Sequence, residues 1–143
     1  ESSFPIHKGI YANATLGVVK LLGERFPDQV RAVDDDGQLP LHLACKLGKT
    51  LIVQHLTSIN QEGLLVCDAK GSRPLHYACQ FGHYGVVNCL MEASSASVME
   101  RNSDGKLPFQ LLIEADCEKE SLVYTESVWR LLVASPDVLL DGL

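Results

Sequence analysis

Asp36-Gly37-Gln38-Leu39-Pro40-Leu41-His42-Leu43-Ala44-Cys45 and Lys70-Gly71-Ser72-Arg73-Pro74-Leu75-His76-Tyr77-Ala78-Cys79 are one pattern written twice, 34 residues apart. A third copy follows at the same interval as Asp104-Gly105-Lys106-Leu107-Pro108-Phe109-Gln110-Leu111, and a partial copy precedes them as Phe4-Pro5-Ile6-His7. Other landmarks keep the register. Val19, Val53 and Val87 each open a Val-x-x-apolar pattern, and Val30, Leu64 and Val98 fall seven residues before the next turn glycine. Self-similarity at a fixed period of this length marks a repeat architecture, in which each unit buries its apolar face only against its neighbours. The matching stretch of the last unit, Val128-Trp129-Arg130-Leu131-Leu132, comes 41 residues after Val87, so seven residues are inserted, and they are placed around the acidic segment Asp116-Cys117-Glu118-Lys119-Glu120-Ser121.

Each unit reads as turn, helix, tight loop, helix. Gly37, Gly71 and Gly105 supply the backbone freedom of a turn, and the proline three residues on suits the first turn of a helix, where its missing N–H is not needed. Leu41, Ala44 and Cys45, like Leu75, Ala78 and Cys79, fall on one apolar helix face. Gly48 and Gly82 stop that helix. Ile52, Val53 and Leu56, matched by Val86, Val87 and Leu90, form the inward face of the second. The pattern predicts first helices over Pro5–Ala12, Pro40–Leu47, Pro74–Phe81 and Pro108–Ala115. Second helices are expected over Leu16–Phe26, Leu51–Ile59, Tyr84–Ala93 and Leu122–Ala134, with no true β-sheet. Helices of two to three turns are marginal alone in water, so stacking must stabilise them.

Gly71-Ser72-Arg73-Pro74-Leu75-His76-Tyr77-Ala78-Cys79-Gln80-Phe81-Gly82-His83 resembles the ankyrin repeat, whose hallmark is Gly-x-Thr-Pro-Leu-His-x-Ala-x-x-x-Gly-His before an apolar second helix. Gly37 to Gly48 resembles it nearly as well, and the likeness runs from about Phe4 to Leu132. The resemblance implies an all-α solenoid of stacked helix-turn-helix units in a single domain, 1–143, with units near 1–33, 34–67, 68–101 and 102–140. Departures are plain. The hallmark Thr is Phe4, Leu39, Arg73 and Leu107, so its hydroxyl bond is lost and apolar contact is expected to replace it. The His becomes Gln110 in the last unit, and the capping glycine becomes Asn13 in the first and Asp116 in the last. Pro27-Asp28-Gln29-Val30 and Pro136-Asp137-Val138 replace the family's usual link and are each expected to form a short extra helical turn.

Bulk properties narrow the function. A hydrophobic content of 46% with 21% charged residues is that of an ordinary folded protein. The formal charge of −6 argues against a nucleic-acid surface, which needs clustered Lys and Arg. No apolar run approaches the length of a membrane span, and Glu1-Ser2-Ser3-Phe4-Pro5 lacks the basic start and apolar stretch of a signal peptide. The start at Glu1 rather than Met and the stop at Leu143 lead to the expectation of a fragment of a longer chain. Five cysteines, Cys45, Cys67, Cys79, Cys89 and Cys117, show no CxxC pair, which is the usage of free thiols in the cytoplasm or nucleus.

Candidate chemistry is thin. His7, His42 and His76 recur once per unit, about 10 Å apart, a spacing too wide to share a metal and one that suits bonds from turn to turn. His83 is a structural position of the same pattern, and His55 is expected to face solvent. A nucleophilic cysteine would need an activating base, and Asp34, Asp35 and Asp36 lack the spacing of a calcium loop. No catalytic residue, metal or cofactor is expected, and the chain is not read as an enzyme.

The resemblance implies binding of another protein through the turn tips and the concave face of the first helices. Carried over by position, the tips are Asp35, Asp36, Gln38, then Ala69, Lys70, Ser72, then Ser103, Asp104, Lys106. The adjoining helix residues are Tyr11, Lys46 and Leu47, Gln80 and Phe81, Glu114 and Ala115. Tyr11, Leu47 and Phe81 are expected to form an apolar stripe there. Two other readings stay open: a targeting domain of a larger enzyme, and an otherwise monomeric array that self-associates through Leu131, Leu132, Val138, Leu139 and Leu140.

Overall fold

The computed structural model describes residues 4–115 and 122–134, which form helices in the expected order. These are α1 (Pro5–Tyr11), α2 (Leu16–Arg25), α3 (Pro40–Leu47), α4 (Thr50–Ile59), α5 (Pro74–Gln80), α6 (Tyr84–Ala93), α7 (Pro108–Glu114) and α8 (Leu122–Ala134). There is no β-strand among the described residues. The odd-numbered helices stack on one another as an inner layer, the even-numbered ones as an outer layer, and each pair is joined across the layers. The boundaries differ from the sequence reading by one residue at most: Ala12, Phe26, Phe81 and Ala115 cap their helices rather than continue them, and α4 starts at Thr50. The acidic insertion at 116–121 and the expected turn at Pro136-Asp137-Val138 lie outside the described residues.

The periodic landmarks are the core. Leu41, Ala44 and Cys45, their counterparts Leu75, Ala78 and Cys79, and the columns Val19, Val53, Val87 and Val30, Leu64, Val98 are all buried. Pro27–Arg31 forms the expected extra turn as a 3-10 helix, and a second one covers Gln61–Leu65, one period later. The latter has no proline to announce it. Asn13 adopts the left-handed conformation, φ 62°, that glycine takes at 48 and 82, so the first unit keeps the sharp helix stop without the glycine. His55 departs from expectation: it is half-buried, because α2 packs on α4 and brings Lys20 and Glu24 near the ring. Leu131 is likewise a correction, since it is buried in the core and is not free to bind a second copy.

The missing Thr is replaced in two ways. Leu39 and Leu107 bury their side chains, whereas Arg73 donates from Nε to the Leu65 carbonyl at 3.2 Å and pairs with Glu100 at 3.6 Å. The N-cap amide still finds an acceptor three residues on. His42 Nδ1 accepts from Leu39 N–H and His76 Nδ1 from Arg73 N–H, both at 3.0 Å, and Gln110 Oε1 serves Leu107 N–H at 2.8 Å. Gln110 therefore does locally what the histidines do. With Nδ1 occupied as an acceptor, each ring carries its proton on Nε2 and donates across to the next unit. His42 reaches the Val66 and Ser72 carbonyls at 3.0 and 3.2 Å, and His76 reaches Glu100 at 2.8 Å. His7 Nε2 bonds the Gln38 carbonyl at 2.7 Å, but Phe4 departs from the extended backbone of Leu39, Arg73 and Leu107, and His7 Nδ1 has no hydrogen-bond partner among the described residues. His83 ties back instead, from Nε2 to the Lys46 carbonyl at 2.9 Å.

Burial holds the His42 and His76 imidazoles below the ordinary histidine value, so both stay neutral in the fold at pH values where the unfolded chain takes up protons. Over that window the unfolded state binds more protons, and stability rises with pH. The urea midpoint should therefore hold steady above about pH 7 and fall as the pH drops through about 6.5 toward the folded-state values. Circular dichroism across a pH series checks this, and a midpoint that stays level down to about pH 5 would contradict the buried neutral rings.

Burial also pushes the Cys45 and Cys79 thiols up, which suppresses their reactive thiolates. Cys67 is exposed, and Cys45, Cys67, Cys79 and Cys89 are free thiols. Timed alkylation with mass mapping should label Cys67 before Cys89 in the folded protein and leave Cys45 and Cys79 untouched until denaturant is added. Early labelling of either buried thiol would overturn the packing described.

Candidate functional site

Three turn tips, 34–38, 68–72 and 102–106, are built on one plan. The first side chain of each folds back onto its own backbone: Asp34 Oδ1 accepts the N–H of Asp36 and of Gln38, both at 3.0 Å. Asp68 Oδ1 accepts those of Lys70 and Ser72 at 2.9 and 3.0 Å, and Asn102 Oδ1 those of Asp104 and Lys106 at 3.0 Å. Such side-chain caps fix a turn without a sheet around it. The tips are also linked in series, because Ala69 N–H donates to the Asp36 carbonyl and Ser103 N–H to that of Lys70, at 3.0 and 3.1 Å. Gly71 has φ 68°, and a Cβ there would stand 3.0 Å from Ser103 N, so the tips approach as closely as glycine permits.

Between the tips and the exposed sides of α1, α3, α5 and α7 runs a groove of about 790 Å³. It brings together Tyr11, Asp36, Gln38, Lys46, Lys70, Ser72, Gln80, Phe81, Lys106 and Glu114 among the expected binding residues, with Ala69, Ser103, Asp104 and Ala115. Asp35 is exposed but does not line it. Leu47 does not either, although it is 39% exposed. Tyr11 stands six residues after its proline, as Lys46, Gln80 and Glu114 do, so it belongs to their column and not to that of Leu47 and Phe81. The expected stripe therefore reduces to Tyr11 and Phe81. The ring of Phe81 enters the groove beneath Lys46, whose Nζ is 6.0 Å from its centre, and stacks on His83.

Gln38 and Ser72 were expected as exposed tip contacts, and the structure corrects both: each is only 6% exposed. The last residue of one tip tucks under the next, where Gln38 Nε2 donates to the Tyr77 hydroxyl at 3.0 Å and to Asp68 Oδ2 at 3.3 Å. The Tyr77 hydroxyl in turn donates to the same Asp68 oxygen. Burial raises the Asp68 pKa, yet the bonds from Tyr77, Ser72, Gln38 and Lys70 outweigh it and hold the carboxyl below its ordinary value. Burial first, then the bonded Asp68 carboxylate, pushes the Tyr77 phenol up. Asp68, Tyr77, Asn102 and Leu111 are lining residues that the sequence reading passed over. Asp68 and Asn102 could have been found as the periodic equivalents of Asp34. Tyr77 is a polar-tipped ring in a column otherwise filled by Leu43 and Leu111, which is itself a signal.

Tyr11, 58% exposed, lies at the far end of the groove, where burial, Asp34 and Asp36 raise its phenol pKa. No group of three or more His, Cys, Asp or Glu side chains among the described residues could hold a metal ion. No helix among them is long and apolar enough to cross a membrane.

A stack of paired helices with projecting tips and a groove beneath them defines a helical-repeat protein. A family model described as ankyrin repeats in three copies matches residues 6–102. The chain belongs to the ankyrin-repeat family, whose members are in general protein-interaction modules and typically not enzymes. A search of curated proteins returns no match.

Proposed function

We propose that the chain binds another protein through the groove and the tips around it, and carries out no chemistry of its own. One observation supports this above the others. Phe81 keeps 44% of its surface exposed inside a groove whose polar floor, Asp68 with Tyr77 and Gln38, is already bonded. That is apolar area which folding does not use, set on a surface that need not rearrange to accept a ligand.

Peptides selected from a displayed random library against the immobilised protein test the reading when their positions are mapped by amide NMR shifts. Shifts should gather at residues 36–38, 70–72 and 104–106 and at Tyr11 and Phe81. Shifts confined to α2, α4 and α6, or a selection that yields no binder, would sink it.

A further inference from the structure

We propose that the groove reads an extended partner segment whose charges run basic, acidic, basic, with the central carboxylate held by Lys70 and Lys46. The inference rests on the groove reading above and adds the chemistry of what enters it. Asp36, Lys70 and Asp104 occupy the same place in three successive tips, so the groove rim alternates negative, positive, negative. The other charges that line the groove are already spent. Asp68 accepts two backbone N–H groups on one oxygen and the Tyr77 hydroxyl and Gln38 amide on the other. Glu114 and Lys106 satisfy each other at 2.6 Å. Asp36, Asp104, Lys46 and Lys70 make no ion pair among the described residues.

Lys46 is also held in place. Its Nζ sits 6.0 Å from the centres of both the Tyr77 and the Phe81 rings, so its stem is ordered before a ligand arrives and less entropy is lost on binding. Stacked elements lie roughly 10 Å apart and an extended chain advances about 3.3 Å per residue, so successive tips meet about every third residue. The segment that fits therefore carries a cation, two residues, a carboxylate, two residues and a second cation, with an apolar side chain beside the carboxylate for Phe81. A carboxylate suits the centre better than a phosphate ester. The latter carries nearly two charges between the Asp36 and Asp104 carboxylates, and the groove offers it lysines with no arginine fork.

The test uses labelled synthetic peptides, Lys-Ser-Leu-Glu-Phe-Ser-Lys and its permutation Glu-Ser-Leu-Lys-Phe-Ser-Lys, titrated by fluorescence anisotropy. Equal composition and net charge keep the general attraction of an acidic protein for cations out of the comparison. The Glu-centred peptide should bind at least about ten-fold more tightly, and Lys70→Gln or Lys46→Gln should bring the ratio close to one. Equal binding of the two peptides, an unchanged ratio in both variants, or binding only when phosphoserine replaces the central Glu would overturn the charge order. Amide NMR on the same samples separates the two readings. Groove shifts without charge preference defeat this inference alone, whereas groove amides that stay still under every peptide defeat the groove itself.

Discussion

Leu75→Ala should cost about 2 to 5 kcal/mol of folding stability. The side chain is 3% exposed, on a helix that packs against α3 on one side, α7 on the other and α6 behind. Truncation removes buried methyl groups and leaves a cavity where three interfaces meet, so neighbouring units lose contact with each other and not merely with α5. In a linear stack, stability is the sum of units and the interfaces between them, and a central loss weakens both flanks at once. Domains of this size are held by roughly 5 to 15 kcal/mol, so a sizeable part of the total is at stake. Urea denaturation followed by circular dichroism measures it. A loss below about 1 kcal/mol would mean that the site collapses around the change or that α5 is not packed as described.

Phe81→Ala should do the reverse. It should weaken partner binding by roughly 2 kcal/mol or more, the threshold for an anchoring side chain, while the melting temperature stays nearly unchanged. The ring is 44% exposed, and its folding contacts are a stack on His83 of its own unit and a half-exposed contact with the Lys46 ammonium of the preceding one, worth about 0.5 to 1 kcal/mol at such a site. His83 keeps its own bond to the Lys46 carbonyl without it. Calorimetric titration of a groove-binding peptide, paired with a thermal melt, reads both quantities. A variant that melts like Leu75→Ala, or one that binds as the parent does, removes Phe81 as the anchor and leaves binding to the tips.

The two variants differ by six positions in one short helix and its cap, and the sequence distinguishes them for a definite reason. Period and helical spacing say which side of a helix is apolar in every unit, so Leu75 is legible as core from Leu41 and Phe109 alone. The helix order, the buried columns and the turn-to-turn histidines follow from the same repetition. What the repetition cannot say is which way a polar side chain goes at a tip. Gln38, Ser72 and Lys106 share a position, yet Gln38 and Ser72 are buried and Lys106 is half-exposed, because the first lies under a tip that offers it Asp68 and Tyr77. That depends on the neighbouring unit's side chains and not on the position's own residue. Leu47 shows the complementary limit. It shares a column with Phe81, but α3 runs through Leu47 while α5 stops at Gln80, so the equivalent side chains leave their helices differently.

The bonds that join the units reach no further than one neighbour: His7 to Gln38, His42 to Ser72, and the Asp36 and Lys70 carbonyls to the next tip. Wiring of that reach makes the array indifferent to its own length. Excising one interior stretch of a whole period would set Leu39's surroundings against those of Leu107 and restore a bond of each kind, whereas removing half as much would leave every donor facing the wrong element. Change in such a molecule is accordingly quantised. It can gain or lose surface by the unit, and the groove lengthens or shortens by one tip each time, with Gln38, bonded to Asp68 and Tyr77, marking where a new neighbour would also have to match in side chain.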